Sequence, residues 1–204
     1  MKPSIFFIIK FWLSIIDDTT CFDFKIQNEN IYLNKDSREI VLNFSASNCS
    51  SKSLILYNIN SVVLPPIIHE DEFCKEDVAA GLALYIYNES NEAIFPEMPI
   101  IPDSIDYKPM SKDNLESKLA NSRIEFVRST KIIKPKQKID FSKTIKLHSY
   151  GLEKGTYYIR LIYFSGKYIT NYVDQKYIAQ NKTKYEANVF QGCAKSNKIK
   201  LIIE

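Results

Sequence analysis

The sequence predicts an all-β protein built as an antiparallel sandwich or barrel. Three observations predict this class. Apolar and polar residues alternate with a period of two in several segments, most cleanly over residues 40–46. Tyr and Phe together number 25 of 204 residues, and such aromatic residues favour strands. No alternation of strand and helix patterns occurs, which disfavours a parallel α/β sheet.

Eight segments have strand-like patterns, and turn signals separate most of them. In chain order they are residues 22–26, 40–46, 53–59, 79–87, 124–133, 139–147, 156–164 and 198–203. One short helix is predicted over residues 112–119, where Ser111 suits an N-cap and Leu115 and Leu119 lie on one face. Three long loops are expected, over residues 61–78, 91–110 and 167–197.

The amino-terminal residues 1–20 combine an early Lys2 with a short apolar run that ends at Asp17. A positive start before a short apolar stretch is typical of an export signal, and the run is too short for an ordinary membrane-spanning helix. A buried first strand or helix is the alternative. We therefore expect a single domain over residues 21–204, secreted or periplasmic, with no transmembrane span in the mature chain.

Four cysteines are widely spaced, and none forms a Cys-x-x-Cys pair, so neither a zinc ribbon nor a thioredoxin-type site is predicted. In an exported chain an even number of cysteines favours two disulfides, with three possible connectivities. We prefer Cys49 with Cys74, since this pair closes the shortest loop. In a reducing compartment all four would be buried thiols. The cysteines are Cys21, Cys49, Cys74 and Cys193.

Residues 152–163, with the pattern Leu-x-x-Gly-x-Tyr at their start, resemble a late strand of bacterial immunoglobulin-like domains. The resemblance implies an antiparallel immunoglobulin-like β-sandwich with long loops and at most one short helix. It implies that Gly155 supplies a turn conformation and that Tyr157 acts as the corner tyrosine of such sandwiches. It carries no catalytic residue, and it covers mainly residues 130–204.

The sequence offers little for catalysis, and we predict no enzyme, no cofactor and no metal site. Only five glycines occur, without a nucleotide-binding Gly-rich motif or a Gly-x-Ser-x-Gly motif. The acidic run Glu70–Glu72, followed by Glu76 and Asp77, fits a solvated loop better than a calcium site. His69 lies close to Asp71, so a hydrolase remains a remote alternative.

Two compositional features point to surfaces. Residues 1–121 carry a net charge of −8 and residues 122–204 a net charge of +11, which indicates either complementary halves or a basic surface. Eight of the 13 tyrosines lie between Tyr150 and Tyr185. Tyrosine gives a large contact area at low entropic cost, although cross-strand packing would also use it. The loop tyrosines Tyr168, Tyr172 and Tyr177 are the candidate partner contacts.

These features together predict an exported, non-catalytic protein with a binding or structural role. We expect its partner to be a protein or a glycan, and we expect no nucleic-acid partner. The alternative is an inhibitor of a protease or toxin that acts through the Pro-rich loop 91–110, because proline lowers the entropic cost of ordering a loop.

Overall fold

The computed structural model describes residues 21–34, 39–61, 63–66, 68–74, 80–97, 112–166 and 173–204, and strands predominate among them. The strands are β1 Phe22–Ile26, β2 Asn30–Leu33, β3 Glu39–Asn48, β4 Ser53–Leu56, β5 Val63–Leu64, β6 Ala80–Tyr87, β7 Ala93–Ile94, β8 Lys131–Ile133, β9 Lys138–Lys146, β10 Gly155–Ser165, β11 Ala187–Val189, β12 Gly192–Lys195 and β13 Ile199–Ile203. The helices are α1 Glu70–Phe73, α2 Lys112–Arg128 and α3 Gln175–Tyr185, with a 3-10 helix at His148–Tyr150.

The strands form three sheets. The first has the order β1-β3-β9, and the second has the order β2-β13-β10-β6-β5, with β12 beside β10 and β7 beside β6. The third has the order β11-β4-β8. Most neighbours are antiparallel, but β2 with β13, β5 with β6, and β11 with β4 are parallel. The first sheet is therefore purely antiparallel and the other two are mixed, so the prediction of a purely antiparallel structure is wrong.

A large apolar core lies between the sheets. The alternating residues of β3 (Ile40, Leu42, Phe44 and Ala46) point into it, as their period of two predicted. From the second sheet, β10 contributes buried residues such as Leu161. All of these side chains belong to one cluster. The first and second sheets thus bury their inner faces against a common core.

Two smaller clusters place the helices. Phe126 of α2 and Ile178 of α3 pack with Tyr57 in a cluster over the third sheet. Phe73 of α1 packs edge-on against Phe164 on the outer face of the second sheet. The helices therefore cover faces of the sheets that would otherwise expose apolar residues.

The helix content exceeds the prediction of at most one short helix. The predicted helix at residues 112–119 continues to Arg128, so residues 124–128, predicted as strand, are helical. Their alternating pattern is short enough to suit either structure, and the packing of Phe126 and Val127 selects the helix. In addition, α3 lies where a loop was predicted.

The disulfide prediction is also wrong. Cys21 pairs with Cys49, and Cys74 pairs with Cys193. The strand register explains the first bond. β1 and β3 pair Phe22 with Asn48, so Cys21 and Cys49, each one position beyond this pair, lie opposite each other. Shortness of the loop was a poor guide, since sheet pairing brings distant residues close.

Tyr157 of β10 is hydrogen-bonded to the backbone of the turn before this strand. The Tyr157 hydroxyl donates to the carbonyl of Glu153 at 3.1 Å and accepts from the Glu153 amide at 3.2 Å. The left-handed conformation in this turn belongs to Gly151, which has a φ of +57° directly after the 3-10 helix. Gly155 begins β10 with a φ of +158°.

Candidate functional site

Of the predicted contact tyrosines, Tyr177 lies on α3 and is 39% exposed. Tyr168 and Tyr172 lie outside the described residues. The Pro-rich loop of residues 91–110 is described only as far as residue 97, so the inhibitor hypothesis stays a prediction. We therefore take the surface around Tyr177 as the candidate site.

The local sequence explains why α3 forms. The Asp174 side chain accepts a hydrogen bond from the amide of Lys176 at 2.7 Å, which caps the first turn. Lys182 and Lys184 lie in the last turn, where positive charge stabilises the helix dipole. Glu186 then takes a left-handed conformation and ends the helix. These capping and charge signals are present in the sequence. The segment has too few apolar residues to form a helical periodic pattern, so the helix was not predicted.

The exposed side chains of α3 include aromatic and positive groups. Tyr185 is 38% exposed, and the Lys184 ammonium lies 5.0 Å from the centre of its ring. Tyr177 and Lys176 lie at the other end of the helix, and both are exposed. We call this set the α3 surface: Lys176, Tyr177, Lys182, Lys184 and Tyr185. The helix itself bears three lysines and no carboxylate, and the exposed carboxylates of Asp174 and Glu186 flank it at its two ends.

A second polar group of residues surrounds Glu70, which the sequence analysis placed in a solvated acidic loop. The structure corrects this for Glu70, whose side chain is only 20% exposed. One Arg160 Nη1 contacts its two carboxylate oxygens at 3.0 and 3.1 Å, and the Tyr87 hydroxyl donates to Oε2 at 2.5 Å. Lys195 Nζ lies 3.4 Å from Oε1 and 2.7 Å from Asp71. We call these residues the Glu70 network.

The Glu70 network shifts the ionisation of its members. Burial alone would raise the pKa of Glu70, but the hydrogen bond from Tyr87 and the charges of Arg160 and Lys195 outweigh it and hold that pKa below its ordinary value. Burial also raises the pKa of Tyr87, and its hydrogen bond to Glu70 adds to the effect. Glu70 is therefore a carboxylate, and Tyr87 is a neutral donor.

The Glu70 network attaches α1 to the second sheet. Arg160 lies on β10, Tyr87 on β6 and Lys195 on β12, and the Cys74–Cys193 bond links the end of α1 to β12. Within the described part of the chain, no group of three His, Cys, Asp or Glu could hold a metal ion. Of the acidic residues that the sequence groups there, Glu70 and Asp71 form ion pairs within the protein, and Glu76 and Asp77 lie outside the described residues.

Several ion pairs join the acidic residues 1–121 to the basic residues 122–204. Glu39, Glu70 and Asp71 of the acidic half each pair with a cation of the basic half, with distances between 2.7 and 3.7 Å. The two halves of the chain therefore complement each other at these positions.

The two histidines lie apart from this network. The ring of His69 meets the ring of Phe95 edge-on at 5.1 Å, and its carbonyl accepts the amides of Glu72 and Phe73. His148 begins the 3-10 helix. The described contacts of His69 are thus aromatic packing and the start of α1.

The described residues line at least two surface clefts. One, of about 480 Å³, lies between the end of α2, the segment after β4, and β9. Its lining includes Asn60, Ser129, Lys143 and Thr144. The other, of about 590 Å³, lies beside β1 and the start of β13 and includes Lys25, Asn197 and Lys198. Sequence reasoning missed both, because each joins residues from distant segments.

No helix in the described ranges is both long and apolar enough to cross a membrane. The sequence matches no known protein family and no curated protein significantly, so the geometry above carries the functional argument.

Proposed function

We propose that this chain is an exported, non-catalytic binding protein, and that its α3 surface contacts a negatively charged protein or glycan. The α3 surface carries the proposal. It presents two partly exposed tyrosines and three lysines on one helix, a combination suited to recognition because aromatic rings supply contact area and lysines supply charge.

Export is supported by the two disulfides. Such bonds persist in oxidising compartments and are rare in the cytosol, and all four cysteines of the described residues take part in them. The short apolar run after Lys2 agrees with this compartment.

An immunoglobulin-like sandwich is the architecture we propose. Its support is the Tyr157 hydroxyl, which contacts the backbone of Glu153 four residues upstream, together with the common core of the first and second sheets. Beside this framework, α3 is anchored through Ile178 to the cluster over the third sheet.

The test compares Tyr177→Ala and Tyr185→Ala with Tyr32→Ala. Tyr32 is 65% exposed on β2, outside the α3 surface, and so serves as the matched control. Each protein is applied to an array of acidic and neutral glycans and used to capture partners from the extracellular fraction of its source. We expect an acidic ligand that both α3 variants bind at least about fivefold more weakly, while the control binds as the wild type does.

A ligand whose binding falls equally with Tyr32→Ala would contradict the α3 surface as the site. Preference for neutral glycans over acidic ones would contradict the proposed partner chemistry. Turnover of a bound ligand would contradict a non-catalytic role.

A further inference from the structure

The cleft of about 480 Å³ beside β9 is large enough for a small molecule. Three separate elements form it. Asn60 and Ser61 follow β4 and Val63 begins β5, Glu125 lies in the last turn of α2 with Ser129 directly after the helix, and residues 143–146 belong to β9. A backbone hydrogen bond from the Asn60 amide to the Ser129 carbonyl, at 2.9 Å, joins two of these walls.

Lys143 is held at this cleft by the protein itself. Its Nζ donates to the carbonyl of Asn60 at 2.8 Å. An ammonium group has three donors, and this bond uses one of them. The fixed group therefore retains donors for a ligand without the full entropic cost of ordering a free lysine.

The charges around the cleft leave Lys143 without a counter-ion. Glu125, the carboxylate in the lining, pairs with Arg128 at 2.9 Å, and Lys146 pairs with Glu39 at 3.7 Å. Among the described residues, no carboxylate lies within ion-pair distance of Lys143. Partial burial lowers the pKa of Lys143, and the nearby charge of Lys131 lowers it further. An anion in the cleft would relieve both effects.

We infer that this cleft is a binding site for a small oxyanion, a carboxylate or phosphate group, with Lys143 as its charged donor and the hydroxyl of Ser129 as a neutral donor. Hydrogen bonds from an ammonium to an oxyanion are among the stronger ones in proteins. The site shares no residue with the α3 surface, so it goes beyond the function proposed above.

The test is a titration with inorganic phosphate and, separately, with succinate at constant ionic strength, followed by the amide NMR signals of Ser129 and Thr144. Constant ionic strength separates specific binding from screening. We expect saturable shifts with at least one anion. Lys143→Met should weaken the affinity by about tenfold, whereas Lys134→Met, which removes an exposed lysine elsewhere, should leave it unchanged.

A second variant tests the site if Lys143→Met does not fold. Ser129→Asp places a carboxylate in the cleft, where it should compete with the added anion and abolish the shifts. Saturation by phosphate alone would assign a phosphate group, and saturation by both anions would assign an oxyanion in general. Shifts that do not saturate, or an equal loss with Lys134→Met, would overturn the inference.

Discussion

At the scale of single residues, Glu70 has the most consequential environment among the described acidic residues. Arg160, Lys195 and Tyr87 all converge on its carboxylate, although the side chain retains some exposure to solvent. Removing one partner of such a group leaves the other charges partly buried without compensation, which costs more than the pair itself contributes. The stability of the protein should therefore depend on this carboxylate.

We predict that Glu70→Gln destabilises the protein by about 2 kcal/mol at neutral pH. The pKa of Glu70 lies below its ordinary value in the folded state, so its contribution is present above the ordinary value and is lost as the pH falls through the folded value. The gap between variant and wild type should thus narrow as the pH falls through the lowered pKa of Glu70. Urea unfolding at several pH values measures it.

The exposed Glu72 provides the control for this measurement. Glu72→Gln should change the free energy of unfolding little at any pH, because surface charges contribute little. A constant difference between Glu70→Gln and the wild type across the pH range would show that ionisation of Glu70 does not stabilise the fold.

At the scale of elements, α3 differs from the strands beneath it. None of its residues is fully buried, and Ile178 is its partly buried contact with the cluster over the third sheet. In contrast, β10 buries Leu161, Ile162 and Tyr163 completely. Local opening is easiest where few apolar contacts hold an element.

We predict that the amides of α3 exchange with solvent through a local opening, at a free energy well below that of β10. Ile178→Ala should lower the free energy of this local opening by about 1 kcal/mol. Gln180→Ala, which changes an exposed residue, should leave it unchanged. Hydrogen exchange followed by mass spectrometry measures both elements. Equal protection of α3 and β10 would mean that the helix unfolds only with the whole molecule.

The sequence predicted best those elements whose residues bury one face. The alternation in β1, β3 and β9 and the dense apolar runs of β6 and β10 matched the strands observed, because one or both faces pack on the core. Short strands such as β5 and β7 have too few residues for a periodic pattern. They exist because β6 offers them backbone partners.

The candidate sites were less predictable for a related reason. Tyr177 could be named from composition alone, but its place on a helix depended on the Asp174 cap and on the single anchor Ile178. The cleft around Lys143 joins residues 60, 129 and 143, and the pairing of Glu70 with Arg160 spans 90 positions. Long-range proximity of this kind is set by the topology and leaves no local pattern in the sequence.

At the scale of the whole molecule, the two disulfides close loops of very different lengths. Cys21 and Cys49 are separated by 28 positions, whereas Cys74 and Cys193 are separated by 119. A crosslink stabilises a protein mainly by restricting the unfolded chain, and the restriction increases with the logarithm of loop length.

We predict that replacing both Cys74 and Cys193 by Ser costs about 5 kcal/mol, roughly 1 kcal/mol more than replacing Cys21 and Cys49. The longer bond also attaches α1, so its loss should weaken the Glu70 network as well. Guanidinium unfolding of the two double variants measures the difference. A larger loss from the Cys21–Cys49 replacement would contradict the loop-length argument.

The parallel pairing of β2 with β13 has a consequence for the order of events during synthesis. These strands lie near opposite ends of the described chain, yet they are neighbours in the largest sheet. A ribosome must therefore release nearly all of the described chain before β2 and β13 can pair, and such distant pairings form slowly. Among the described strands β2 pairs only with β13, so its backbone edge stays without a strand partner until synthesis is almost finished.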